Sequence, residues 1–504
     1  GIVRWCRFGI AAFGLLALLG MPGCAVGPDY IPPSAPVPPK YKEISGWKPA
    51  KPRDLYDRGD WWRIYRDPML DRLIRQVEIS NQSVAVAEAA FRQSVALVKE
   101  ARAALFPVIG LTYNPLRSHQ GPKATATGVG VTRTIVTLET TGTWDIDVWG
   151  KVRRMIESNA SNAQGSAGDV ANIKLMMQAQ LATAYFNLRA ADSLKRLLDR
   201  SVTNFKRTQT ITENQYKLGT VGRSDVLTAQ TQVRTTEAQA IAVGVQRAQF
   251  AHAIAVLMGV PPSALDIPER ELASTVPSVP ADIPAHLLER RPDIAAAERR
   301  IQGQSALIGV AVAAYFPDVT LNGLFGWVGS RAFPISVANE VWQVGATITE
   351  TVFEGGLRRA QLTAAEATYY QAIATYRQTV LTALQQVEDG YSSQRILARQ
   401  QTVQDDAAEL SRQAVTIALN EYRAGTVSFT TVVTAQATQL TNEQAALAVR
   451  QSRFLATVSL IQALGGGWSV ELLPTHDELR HWRSCVSVRD AIRGNISPEM
   501  PACL

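Results

Sequence analysis

Cys24 is the residue with the clearest chemical setting. Arg4 and Arg7 precede an apolar run from Gly9 to Gly20, which ends at Met21-Pro22-Gly23-Cys24. Basic, then apolar, then small residues in that order read as a secretory signal peptide over residues 1–23, too short to cross a bilayer as a helix. A cysteine directly after the small residue resembles a bacterial lipobox, in which cleavage leaves Cys24 first and acylated. Met21 and Pro22 depart from the small or aliphatic residues usual there. Several acyl chains, at about 0.8 kcal/mol per buried methylene, would hold the N-terminus in a membrane. Plain secretion is the alternative.

The remaining reactive side chains form no constellation. His119, His252, His286, His476 and His481 sit in unrelated segments without carboxylates or thiols at metal-ligand spacing, so no metal is expected. Cys6, Cys24, Cys485 and Cys503 make no disulfide framework. Gly465 to Gly467 ends a helix instead of cradling a phosphate, and there is no nucleophile elbow. Asp405-Asp406 and Glu388-Asp389 read as solvated helix faces. The chain is therefore read as no enzyme, with no cofactor. Its formal charge of +7 lies partly at the two ends, and no basic cluster suggests nucleic acid.

The elements around these residues are duplicated. YKLGTVGRSDVLTAQTQVRTTE at Tyr216–Glu237 returns as YRAGTVSFTTVVTAQATQLTNE at Tyr422–Glu443, an offset of 206 (422 minus 216). Each copy reads as a helical hairpin turned at a glycine corner, Gly219-Thr220-Val221-Gly222 and Gly425-Thr426-Val427-Ser428, because glycine lets a helix end left-handed. Proline is absent from Pro122 to Pro261 and from Pro334 to Pro474, as very long helices require. Runs of about 65 residues open at Gly150 and Gly356, about 100 Å each. Return helices are expected from about Ser224 to Met258 and from about Thr430 to Leu464.

A second relation, offset by 210, pairs Glu88 with Glu298 and Phe106-Pro107 with Phe316-Pro317 (316 minus 106). It predicts a helix before each Phe-Pro, from Met69 to Leu105 in the first half. After each Phe-Pro the period drops to two. Ile109, Leu111 and Tyr113 alternate with polar residues, and so do Val319, Leu321, Phe325 and Trp327. Second strands follow around Val136, Leu138, Trp144, Ile146 and around Trp342, Val344, Ala346, Ile348. Alternating strands of this length suit a membrane β-barrel, with a soluble two-sheet sandwich as alternative. Four strands cannot close a membrane barrel alone, so the membrane reading requires an oligomer.

The expected organisation is a signal peptide, 1–23; a lipidated, proline-rich extended strap, 24–60; a first repeat of helix, two strands and hairpin, 61–260; a linker, 261–284; and a second such repeat, 285–468. The tail, 469–504, differs in composition and has no place in this scheme; it reads as disordered or as a reading-frame extension.

From Cys24 to Trp468 the chain resembles the TolC-like outer membrane factors of tripartite efflux pumps, in their lipoprotein branch. The resemblance rests on Cys24 with Val26-Gly27-Pro28-Asp29-Tyr30, Trp61-Trp62 through Asp67-Pro68, and Asp145-Ile146-Asp147-Val148-Trp149-Gly150. It continues with Leu288-Glu289-Arg290-Arg291-Pro292-Asp293-Ile294, Ala297-Glu298-Arg299-Arg300, Phe316-Pro317 and Phe353-Glu354-Gly355-Gly356. It implies a mainly α fold with a membrane β portion: a homotrimer whose strands form one twelve-stranded barrel in the outer membrane, continued by an α-barrel through the periplasm. It implies a passive exit duct for drugs and other small toxic molecules. The two corners would meet the hairpins of a periplasmic adaptor, and an inner-membrane transporter of the resistance-nodulation-division type would supply energy. Family members commonly carry acidic residues just after the second corner, where Thr431 and Thr434 stand here; Asp225 is the first-half equivalent of Thr431. Asp225 is accordingly expected either to carry the acidic character of a constricting ring or to cap its helix. The rival reading is a lipid-anchored periplasmic coiled coil without a pore.

Overall fold

The computed structural model describes residues 25–44, 59–126, 128–279 and 287–482. Helices α1 (Pro68–Ser80) and α2 (Gln82–Ala103) lead into strands β1 (Val108–Gln120) and β2 (Val131–Ile146), then α3 (Lys151–Lys217) and α4 (Arg223–Leu257). A single helical turn at Leu287–Arg290 opens the second unit. It continues with α5 (Pro292–Ala313), β3 (Asp318–Gly329), β4 (Glu340–Thr349), α6 (Leu357–Arg423), α7 (Phe429–Ala463) and a short α8 (His476–His481). The duplication holds to the residue in the long helices: α3 and α6 have 67 residues each and start 206 apart (357 minus 151). Helices α4 and α7 have 35 each, again 206 apart (429 minus 223). α2 and α5 have 22 each, 210 apart (292 minus 82). The four-residue difference is taken up between the Phe-Pro and the long helix, where the first strand pair is the longer.

At 1.5 Å per residue α3 and α6 each extend about 100 Å. α3 packs against both α4 and α7, and α7 against α6, so the long helices stand in the order α4, α3, α7, α6. The main core fills the middle of the molecule, where the rings of Tyr65, Phe186 and Phe454 pack together at tilted angles. Trp61, buried, donates to Gln178 at 3.1 Å, and Trp62 to Asp71 at 2.8 Å. Asp67 caps α1 through the N–H groups of Met69 and Leu70 and accepts from the Tyr185 hydroxyl at 2.6 Å.

Four expectations need correction. The single helix from Met69 to Leu105 is broken at Asn81. Its side-chain oxygen accepts from Ser83 and Val84 to start α2, while its amide donates to the Leu257 carbonyl at 2.6 Å. The last carbonyls of a helix lack intrahelical partners, and Asn81 supplies one to α4. Arg291, 210 positions on (291 minus 81), does the same for α7 by donating to the Ala463 carbonyl at 2.9 Å, with Asp293 holding its guanidinium at 2.7 Å. The Arg-Arg-Pro-Asp string thus closes the end of a return helix.

The strap runs along the surface over residues 25–40 but then enters the core. Tyr41 is 1% exposed and packs on Tyr391, and the N–H groups of Lys42 and Glu43 meet the Glu388 carboxylate at 2.6 and 2.9 Å. The linker is a packed belt over its described part. Ile267, Leu272 and Val279 are buried, and buried Arg189 donates to the Pro268 carbonyl at 2.7 Å. Disorder does not hold for the tail up to Trp482. α8 starts with a reciprocal Thr475–Glu478 cap, buries Leu479, and sets Trp482 edge-on against Phe91. Residues 483–504 lie outside the described residues.

Candidate functional site

Three regions carry surfaces that no described part of the chain covers. The first is the sheet, antiparallel in the order β1-β2-β3-β4. Its register aligns Leu111, Thr140, Phe325 and Trp342 in one row and Ile109, Gly142, Gly323 and Val344 in another. One face is therefore almost wholly apolar, adding Trp144, Leu321 and Ile348, while the other presents Thr112, Glu139, Thr141, Asn322 and Gln343. Neither face is packed: Leu111, Trp342 and Val344 are each more than two-thirds exposed. β1 pairs only with β2 and β4 only with β3, so both outer edges leave backbone groups unpaired. Such a sheet needs lipid on one side, water on the other, and further strands at both edges.

The second region is the junction between sheet and long helices. Gly150 and Gly356 both take left-handed backbones (φ 81° and 91°) where a strand pair hands over to α3 or α6. Ala25 lies so close over Gly150 that a side chain there would collide with it. The Val26 N–H bonds to the Trp149 carbonyl at 3.1 Å, and Arg154 donates to Asp29 at 2.8 Å. The strap is thus pinned at the level where the apolar sheet face ends. Cys24 lies outside the described residues.

The third region is the hairpin tip. Gly219 (φ 75°) and Gly425 (φ 74°) each end a long helix in a left-handed turn. The Thr220 N–H and hydroxyl both bond to the Gln215 carbonyl, at 3.0 and 2.9 Å, and those of Thr426 bond identically to Glu421. The bonds from glycine to the second-last carbonyl and from threonine to the third-last close the helix end, with the hydroxyl as reinforcement. Gly222 and Ser428 begin the return helices without a side-chain cap. Both corners are solvent-facing except for half-buried Val221 and Val427.

Asp225 makes no cap bond; it sits in the first turn of α4, where the helix dipole favours a carboxylate. It lies close enough to Tyr422 that its charge adds to the effect of burial in pushing that hydroxyl's pKa up. Thr431 and Thr434 are exposed in the first turns of α7, with Thr431 Oγ1 3.4 Å from Ser428 Oγ. Behind them Tyr422, Phe429, Val432 and Ala229 form a small core that both hairpins share.

Residues that the sequence reading passed over hold the hairpins together. Buried Gln436 on α7 donates to Thr208 on α3 at 2.9 Å. Lys206–Glu237 joins α3 to α4 at 2.7 Å, and Arg412–Glu443 joins α6 to α7. These ion pairs are duplicates, since 412 minus 206 and 443 minus 237 both equal 206. Lys206 and Arg234 hold the Glu237 carboxyl below its usual pKa. The repeated glutamates were visible as a signal; their basic partners at the same offset could have been found with it. On the outer flank of α6, Ile396, Val403, Leu410 and Ile417 form an exposed apolar stripe spaced by seven. α4 is, by length and composition, apolar enough to cross a membrane, and also shows Leu227, Ile241 and Val245 exposed.

Residues 73–260 and 283–466, more than half of the chain, match the family described as outer membrane efflux protein. The chain is 27% identical over 450 residues to the toluene efflux pump outer membrane protein TtgC of Pseudomonas putida, covering 88% of this chain and 93% of that one. It is 28% identical over 423 residues to the pyoverdine export outer membrane protein OpmQ of Pseudomonas aeruginosa, covering 82% and 89%. Among solved structures, the outer-membrane channel OprN superposes with a TM-score of 0.83 at 30% identity, covering 88% of this chain and all of that one.

Proposed function

The chain belongs to the outer membrane efflux protein family, in which it is an outer-membrane efflux channel with a long periplasmic helical portion, and from that premise we propose how its copies assemble and meet their partners. Such channels work with an adaptor and an inner-membrane transporter. Three copies close into one duct, their twelve strands forming the barrel and their hairpins the periplasmic tube. The observation that carries this is the four-stranded sheet with one apolar face, one polar face and two unpaired edges. A poreless periplasmic scaffold would leave that sheet without a solvent for its apolar side.

The helical seam supports the same count. The α6 stripe is exposed, whereas of its counterparts 206 positions back on α3 Ala190 and Leu197 are buried and Ile211 is half-buried, with only the polar Asn204, in the place of Leu410, exposed. The contact that α3 makes with α7 inside one chain is repeated by α6 against α4 of the next. That seam covers the apolar flanks of both helices, so α4 needs no bilayer.

Cys24, one residue before Ala25 at the Gly150 junction, would be acylated and inserted in the periplasmic leaflet of the outer membrane. The corners Gly219 to Gly222 and Gly425 to Ser428 would receive the adaptor's hairpins, and Asp225 with Thr431 and Thr434 would line the constriction. The inner-membrane partner is of the resistance-nodulation-division type. Relatives of similar identity are named for toluene and for pyoverdine, so cargo is chosen mainly outside this protein, which serves as a passive exit duct for small molecules. A heat-modifiable trimer that conducts ions in planar bilayers is the expected result. A delipidated monomer that stays in solution and conducts nothing would overturn it.

A further inference from the structure

The two ends of the sheet handle charge differently. At the end that joins the long helices, Lys151, Arg153 and Arg358 each pair with a carboxylate, at 3.8, 3.2 and 2.8 Å. At the opposite end Arg117, Lys123, Arg133 and Arg331 are exposed and make no ion pair or side-chain hydrogen bond among the described residues. From Thr112 to Leu138 the sequence has no carboxylate, and the stretch between β3 and β4 adds only Glu340, the first residue of β4. Each chain therefore carries a surplus of three positive charges here (four minus one). With the helices in the periplasm, this end faces the cell exterior.

The strand register sets the level and the side of these charges. On the apolar face the rows climb from that of Ile146, Val319 and Ile348 to that of Pro115, Val136 and Gly329. Ten residues of β2 separate them (146 minus 136), about 33 Å along the strand and about 25 Å of height at a tilt of about 40°, the height of the apolar band of membrane barrels. Arg117, opposite Thr134, stands one row higher and, by alternation, on the same lipid-side face as Leu111 and Tyr113. Arg331 is brought to that side by its loop. The Tyr113 hydroxyl donates to the Ala332 carbonyl at 2.8 Å and the Tyr113 ring stacks on Phe333, so residues 330–339 fold back over the top of the apolar face, where Val136 is only 3% exposed. Phe333, Ile335 and Val337 on this loop are each more than half exposed. Arg133, opposite Ser118, alternates instead to the polar face that lines the lumen.

We propose that Arg117 and Arg331, with the apolar loop beside them, form on each chain a docking surface for a phosphate-bearing lipid of the outer leaflet. Phe333, Ile335 and Val337 meet its acyl chains, and the two guanidinium groups meet its headgroup phosphates. A guanidinium offers phosphate two parallel donors, and a basic side chain at an anionic lipid surface is worth a factor of about five. A soluble anion could match the charge but has no use for three exposed apolar side chains at the level of the acyl chains. The inference rests on the channel reading above, which sets this end of the sheet outside the cell.

The test uses the full-length trimer in detergent micelles and a fluorescent lipid A, an acylated glucosamine lipid with two phosphates, beside the same lipid stripped of phosphate. Two charges at about fivefold each predict roughly twentyfold tighter binding of the phosphorylated lipid, fading at high salt. R117Q/R331Q should lose that preference while keeping the heat-modifiable trimer and wild-type conductance. F333S/I335S should weaken both lipids alike. R133Q removes the same charge from the lumen side at nearly the same level and should leave lipid binding unchanged. Equal binding of the two lipids, an unchanged preference in R117Q/R331Q, an unchanged affinity in F333S/I335S, a loss as large in R133Q, or displacement of the lipid by excess inorganic phosphate would each overturn the proposal. If the wild-type protein failed to conduct, the channel reading itself would fall, and the two failures are thereby distinguished.

Discussion

Leu197 on α3 is 6% exposed, whereas Val403, its counterpart 206 positions on (403 minus 197), is 70% exposed. The backbones around them are the same: helices of equal length, the same left-handed glycine at each end, the same ion pair to the return helix. What differs is the neighbour. Leu197 lies beside Ala446 and Leu447 of α7 and Leu272 of the belt, while Val403 belongs to a stripe with no described part of its own chain over it. A duplicated unit makes its side-to-side contact once inside the chain and must find the second contact in another copy. Where the side chains have diverged, they mark which of two otherwise equivalent places performs a task.

The sharpest way to break that comparison is to charge both members. V403D/L410D removes two apolar side chains from the outer flank of α6, at about 1.5–3 kcal/mol each per seam. The variant is expected to keep its helix content by circular dichroism but to run as a monomer in light scattering. L197D places a carboxylate in the chain's own interior, at a cost of several kcal/mol, and should fail to give a folded chain at all. A V403D/L410D protein that remains trimeric would remove the seam from α6.

The same contrast can be sharpened with one hydrogen bond. Gln436 and Thr208 bond across α7 and α3, but their counterparts are Gln230 and Ala414, which cannot. In the proposed ring the tip would be tied more firmly within chains than between them, and its opening would part at chain boundaries. Q436A should cost about 1–3 kcal/mol in unfolding and raise the resting conductance. A414T offers Gln230 of the next copy a new hydroxyl and should lower conductance; if both substitutions move it the same way, the two seams are not equivalents.

Much of this was legible because it is periodic. The corner glycines, the two offsets and the switch to period two after each Phe-Pro are local facts, and each appears at the expected place. The misses share a cause, which is a partner far away in sequence. Nothing around Asn81 forbids a helix; the break is imposed by the carbonyl of Leu257, 176 residues on. The order of 475–482 depends on Phe91 and Gln164, and the packing of the belt on Arg189 and Asp192. Asp225 reads from its position alone as a capping residue; that Gly222 holds that place instead, with the Asp225 charge near enough to act on Tyr422, follows from where the backbone turns.

Smaller effects belong to the corners, where the halves are most alike. G219A and G425A each force a residue with a Cβ into a left-handed turn and should cost about 1 kcal/mol apiece. Since the φ angles agree within a degree and the bonding is the same, their melting temperatures should fall together. A clear difference would mean that one corner is held by something the other lacks.

The smallest expected change separates the corners by charge. Asp225 occurs in the first turn after the first corner, and its equivalent after the second is Thr431, so a trimer carries three carboxylates there instead of six. Carboxylate rings gather cations at a constriction, and halving their number weakens that pull without abolishing it. D225N should therefore reduce blockade by divalent cations by roughly threefold, while T431D should strengthen it by a similar factor. Measured in the same bilayers, an unaffected D225N would leave Asp225 with only its favourable place at the start of α4, a role that thermal unfolding, and not conductance, would register.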